Sequence, residues 1–119
     1  MKTAVVPRRV RELVRPCCPP EARPRLSEAE AERQAARFKA LADPTRLRML
    51  SLFASAGGEL CVCHVQEHFD LGQPTISHHL KVLREAGLIR CVKRGLWVYC
   101  SLVPDGLAGL RASLDDLGG

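Results

Sequence analysis

The stretch Leu71 to Leu88, LGQPTISHHLKVLREAGL, constrains this chain more than any other. Pro74 stands where a first helical residue would be, with its fixed φ and no N–H to lose. Gly87 stands where a helix ends in the left-handed conformation. Between them Ile76, Leu80 and Leu83 recur at i, i+4, i+7, which is one apolar helix face. At about 100° per residue, Leu80 and Leu83 fall within about 40° of Ile76. Thr75, Ser77, His78 and Lys81 lie on the other side with Val82 and Glu85, and Gln73 precedes them at the helix entry. Small hydrogen-bonding groups, imidazoles and a lysine suit base edges and phosphates in a DNA major groove. A plain amphipathic surface helix would show the same two faces, so the flanking segments decide.

A short helix is expected just upstream, over about Cys61 to Phe69, with Val62, Val65 and Phe69 as its apolar face. A break at Asp70 to Gly72 leads into the organising helix. Two short helices around a tight turn, the second with a polar outer face, make a helix-turn-helix. After Gly87 the sequence LIRCVKRGLWVYCSL has β-branched and aromatic residues on both sides of Lys93-Arg94-Gly95, a hairpin signal with a basic tip. A hairpin in that position is a wing.

Upstream, Ser27 to Glu30 is a capping box that opens an alanine-rich helix running to about Leu41. Asp43-Pro44 opens the next helix, with Asp as cap and Pro at the first position. Leu47, Leu50 and Ala54 are expected as its inward stripe, flanked by Met49 and Phe53, and Gly57-Gly58 stops it. Pro104 ends the second wing strand. Leu107, Leu110 and Leu114 then form a stripe on a last helix, which is core or half of a dimer seam; the seam is preferred, because such proteins usually bind two-fold sites as dimers. The expected fold is mainly α with a β-hairpin: a dimeric winged helix-turn-helix.

The net charge of +5 is unevenly spread. Residues 1–26 carry seven basic side chains against Glu12 and Glu21, so residues 27–119 are neutral overall. The proline-rich segment 1–26 is expected as a flexible basic arm holding Cys17-Cys18, and 27–119 as the DNA-binding and dimerisation domain. Lys81, Arg84, Arg90, Lys93 and Arg94 make a basic zone that suits a polyanion. No apolar run approaches the roughly 18 residues of a membrane span, and no signal-peptide core is visible. A cytoplasmic protein is expected, its six cysteines present as thiols rather than disulfides.

The segments LADPTRLRML (Leu41 to Leu50), ELCVC (Glu59 to Cys63), QPTISHHLKVLREAGL (Gln73 to Leu88) and KRGLWVYCSL (Lys93 to Leu102) resemble, in order, the ArsR/SmtB family of bacterial metal-sensing repressors. The resemblance covers about residues 27–104. It implies a homodimer that sits on double-stranded operator DNA when empty and leaves when it binds a toxic metal or metalloid. By position, Gln73, Thr75, Ser77 and His78 match the family's base-facing set, with Lys81 beside them and Lys93 and Arg94 on the DNA backbone. ELCVC resembles the cysteine box of the family's arsenite and cadmium/lead sensors. The third cysteine of the nearest arsenite pattern is Gln66 here, so the box supplies Cys61 and Cys63 alone. Cys17-Cys18, carried by an arm that crosses the dimer, would complete the site. Thiolates select soft ions. As(III) is preferred as inducer over Cd(II) or Pb(II), because an adjacent cysteine pair has a short bite and strains to share a tetrahedron. No resident cofactor is expected in the repressing state.

His64 and His68, at i, i+4, read as surface residues, and Cys91 and Cys100 as small semi-buried hydrophobes. The last helix lacks the histidines of the family's zinc and nickel sites. On a regular helix Cys61 and Cys63 would point about 160° apart, so an ion bound by both should distort the helix start. Two other readings stand beside this one: a thiol redox switch using Cys17-Cys18 or Cys61/Cys63, and a regulator with no ligand. An enzyme is not expected. The spacing is C-x-C rather than C-x-x-C, and no βαβ unit, Ser/His/Asp arrangement or phosphate loop is visible.

Overall fold

The computed structural model describes residues 21–118. Cys17, Cys18 and most of the expected arm lie outside the described residues. From Glu28 the elements run α1 (Glu28–Leu41), α2 (Pro44–Ala56), β1 (Leu60–Cys61), α3 (Val62–Glu67), α4 (Gln73–Glu85), β2 (Ile89–Arg94), β3 (Trp97–Leu102) and α5 (Pro104–Gly118).

The helix boundaries follow local chemistry. The Ser27 hydroxyl accepts from the Glu30 N–H at 3.2 Å, and the Asp43 carboxylate accepts from the Arg46 N–H at 3.0 Å. Each satisfies an amide the first helical turn leaves free. Gly57 ends α2 with φ 68° and Gly87 follows α4 with φ 75°, values that a residue with a Cβ rarely adopts. At the second site the Leu88 N–H bonds back to the Leu83 carbonyl at 3.0 Å, closing the turn.

The core lies between α2, α4 and the sheet. Met49, Leu50 and Phe53 of α2 meet Ile76, Leu80 and Leu83 of α4, with Val65, Leu88, Ile89 and Cys100 filling in. The expected stripe of α2 is therefore corrected. Leu47 is 52% exposed and Ala54 is exposed, whereas Phe53 is 1% exposed. Arg46, Met49, Leu50 and Phe53 follow the i, i+3, i+4, i+7 spacing of a true helical face. Leucine content alone pointed to the wrong side.

The sheet has the order β1-β3-β2, all antiparallel. Its hairpin is the wing, turning at Gly95 (φ 62°) and Leu96. The short first strand was not expected. Leu60 pairs with Cys100 and Cys61 with Tyr99, so Cys61 belongs to the sheet and the next helix begins one residue later. The wing also corrects the expectation of six thiols: Cys91 and Cys100 face each other across β2 and β3 and are joined as a disulfide.

No helix among the described residues is long and apolar enough to cross a membrane. The corrected α2 face gives a direct check. Phe53→Ala should lower unfolding free energy by about 3–5 kcal/mol, the usual cost of emptying such a site. Leu47→Ala should cost well under about 1.5 kcal/mol. Urea denaturation of both variants would reverse the assignment if the two losses were equal.

Candidate DNA-reading face and thiol pair

Burial of Ile76, Leu80 and Leu83 turns the opposite side of α4 outward. Gln73, Thr75, Ser77, His78 and Lys81 are all exposed. They do not form one surface. Thr75 and His78 face open solvent, whereas Gln73, Ser77 and Lys81, with Arg84, line a cavity of about 410 Å³ between α4 and the wing. Val82, placed with the polar side by the wheel, is half-buried and packs on the core. Lys93 is exposed on β2. Arg94 is also exposed, but its guanidinium donates to Glu59 at 2.8 Å and lies 5.2 Å above the Tyr99 ring. A phosphate reaching Arg94 would compete with that carboxylate, a modest cost for an exposed pair.

The tilt of α4 is set by residues that sequence reasoning missed. Arg46 donates to the Ala40 carbonyl at 2.7 Å and to the Lys39 carbonyl at 3.3 Å, at the end of α1. Its other terminal nitrogen lies 3.3 Å from Nδ1 of His79 on α4. One guanidinium thus joins three helices. Asp43 stands 4.0 Å from the same imidazole. The Arg46 N–H holds the Asp43 carboxyl below its usual value, against some desolvation, with the charges of Arg46 and His79 and the Thr45 N–H adding to the effect. The signal was present in the sequence: an arginine three residues after a capping Asp can reach back over the preceding helix end. At the far end of α4, Arg37 of α1 donates to the Ala86 carbonyl at 3.3 Å. Gly106 of α5 sits so close to the Gly87 carbonyl that any side chain there would collide with it.

The thiol pair sits at the junction of β1 and α3. Cys61 has φ −65° and ψ 140°, an extended backbone, and caps α3, whereas Cys63 lies in the first turn. This corrects the expected helix start at Cys61: the two cysteines do not share a regular helix. The chain turns between them, and the Cys63 thiol is raised above its ordinary value chiefly by a hydrogen bond with Cys61, with burial and the nearby Cys61 charge adding to it. Cys61 is buried and Cys63 half-buried, and both are free thiols bordering the same cavity. Among the described residues, no cluster of three His, Cys, Asp or Glu side chains is poised to hold an ion. His64 and His68 are exposed on α3 and just after it.

The stripe on α5 divides. Leu110 is 3% exposed and belongs to the protomer's own core, with Leu107 packed against it. It is therefore withdrawn from the expected seam. Leu114 is 57% exposed, and Leu117 beyond it is exposed too.

A winged helix-turn-helix with this order of elements defines a class of DNA-binding transcriptional regulators. The family described as "Bacterial regulatory protein, arsR family" matches residues 43–90. An uncharacterized HTH-type transcriptional regulator of Methanocaldococcus jannaschii is 41% identical over 86 residues, 72% of this chain and 96% of that protein. The arsenic resistance transcriptional regulator ArsR1 of Pseudomonas putida is 52% identical over 68 residues, 57% of this chain. The match spans 52% of that protein, about half its length. A solved homodimeric winged helix-turn-helix domain from Mycobacterium bovis, a possible ArsR-family regulator, has a TM-score of 0.64. It is 26% identical, and the match covers 82% of this chain and 88% of that one. This chain belongs to the ArsR family, a family of DNA-binding regulators and not of enzymes.

Two outcomes follow from the ionisable groups. In Cys61→Ala, the pH profile of Cys63 alkylation should move to lower pH, because its hydrogen bond to Cys61 is gone; an unchanged profile would contradict the pairing. Asp43 has a lowered native value, so the stability it contributes is present above its unfolded value near pH 4. That stability is lost as pH falls through the native value. Asp43→Ala should flatten the loss of thermal stability below about pH 4.

Proposed function

We propose that this chain is a homodimeric repressor that holds double-stranded operator DNA through α4 and the wing and releases it when As(III) binds cysteine thiolates. The observation that carries the reading is the pair Cys61 and Cys63, two free thiols at the junction of β1 and α3 on the wall of the cavity that α4 also lines. Thiolate ligands select soft ions such as trivalent arsenic. The similarity to a regulator named for arsenic resistance supports that choice of ion. Two sulfurs leave a pyramidal As(III) one ligand short, and we assign the third to Cys17 or Cys18. A four-thiolate Cd(II) or Pb(II) site would use all four cysteines.

On DNA, Thr75 and His78 read base edges, with Gln73 and Ser77 at the groove's near wall. Lys81, Lys93 and Arg94 neutralise phosphates, Arg94 by exchanging Glu59 for the backbone. Exposed Leu114 and Leu117 of α5 supply the apolar part of the dimer contact, with Leu107 at its edge. The allosteric step needs an ion that prefers one arrangement over the other. Capture of the Cys61 and Cys63 thiolates, with loss of their protons, draws β1 and the start of α3 toward the ion. β1 is paired to β3, so the pull reaches the wing and the wall facing α4.

The test is fluorescence anisotropy of labelled DNA from upstream of the gene, with reduced protein titrated by arsenite, then cadmium and lead. Arsenite should release the wild type but leave Cys17→Ser/Cys18→Ser and Cys63→Ser bound. Release by cadmium or lead alone would make the site a four-thiolate one. Retention of DNA in every titration would leave a regulator without a soft-ion inducer.

A further inference from the structure

The wing carries sulfur chemistry that the ion site does not use. Cys91 and Cys100 are directly opposed across the antiparallel strands, Cα to Cα 4.1 Å, and joined. Cys100 is wholly buried at 0% exposure, whereas Cys91 is half-buried. Both border the cavity between α4 and the wing. Its volume of about 410 Å³ is enough for a small organic molecule. Lys81 and Arg84 stand on the wall contributed by α4, and among the described residues no acidic side chain lines the space. A DNA-binding protein works where thiols are kept reduced, and disulfides in such compartments are usually transient.

We propose that the Cys91–Cys100 disulfide is a thiol-exchange site, opened from the cavity side by small anionic thiols that attack Cys91. Accessibility fixes the direction. Cys91 is the half-buried partner and Cys100 the wholly buried one, so attack is assigned to the Cys91 sulfur and Cys100 is the leaving group. In the first step a thiolate RS⁻ forms a bond to Cys91 Sγ. The Cys91–Cys100 bond breaks, and its electron pair leaves on Cys100, which takes up a proton. In the second step another RS⁻ attacks the outer sulfur of the mixed disulfide, releasing RSSR and the Cys91 thiolate, which is protonated. Two RSH are oxidised to RSSR, and the protein disulfide is reduced to two thiols. The same steps in reverse, with RSSR as oxidant, close the bond again. The cation pair on α4 raises the local concentration of an anionic thiol over a neutral or cationic one. The inference does not rest on which ion, if any, binds Cys61 and Cys63.

The experiment uses the full chain, oxidised, and three probes at equal thiolate concentration: mercaptoethanesulfonate, mercaptoethanol and cysteamine. Trypsin cuts after Arg90, Lys93 and Arg94, so Cys91 and Cys100 fall in different peptides and mass spectrometry reads their linkage after acid quench. The linked peptide should be present at the start, the probe adduct should form on Cys91, and the anionic probe should open the bond about tenfold faster than the cationic one at low salt. That ratio should approach one in about 1 M salt, where the Debye length is about 3 Å, and in Lys81→Gln/Arg84→Gln. The salt series on the wild type stands alone if the double variant does not fold. Absence of the linked peptide after oxidation, an adduct confined to Cys100, or rates independent of probe charge would each overturn the proposal.

Discussion

The rest of the molecule depends on the burial of one helix face. Ile76, Leu80 and Leu83 interlock with Met49, Leu50 and Phe53, and each large side chain removed from water is worth about 1.5–3 kcal/mol. With that face committed, the rotation of α4 about its axis is settled, and Thr75 and His78 have nowhere to point but outward. Polar contacts then refine what packing has decided. Arg46 fixes α4 near its middle through His79, and Arg37 fixes its end through the Ala86 carbonyl. The outward residues of α4 are thus held by a helix that is itself clamped at two levels.

Those features that local chemistry determines were legible in the chain. Ser27, Asp43, Gly57 and Gly87 act through their own backbone or the next turn, so spacing alone identified them. The apolar face of α4 was nearly as plain, because Ile76, Leu80 and Leu83 share one narrow arc; Val82, assigned to the polar side, also packs on the core. In α2 leucines lie on more than one side, and only contact with α4 and β3 selects Met49, Leu50 and Phe53 over Leu47. β1 was hidden for a related reason. Two residues carry no periodic signal, and Leu60-Cys61 becomes a strand because β3 offers a free edge to it. Helical spacing assigned Cys61 to a helix, and the error propagated into the expected angle between the thiols.

Sequence distance also concealed how the sulfurs are grouped. Cys61 and Cys63 were visible as a pair, but Cys91 and Cys100 meet only once the wing folds, and the cavity that all four border exists only after α3, α4 and the hairpin are assembled. The same assembly divides the polar face of α4 in two, one side open and one side shared with the wing. Lys81 and Arg84 stand on that shared side, so their charge faces the cavity as well as the outer surface of α4.

Gly106 lies against the Gly87 carbonyl with no room for a methyl group between them. Most helix contacts are cushioned by side chains whose rotamers absorb small shifts. Here backbone rests on backbone, and nothing can give. The start of α5 is therefore held close against the turn that follows α4. Any side chain at position 106 would have to push the whole start of α5 away from that turn, and the helix would move as a body rather than by a rotamer.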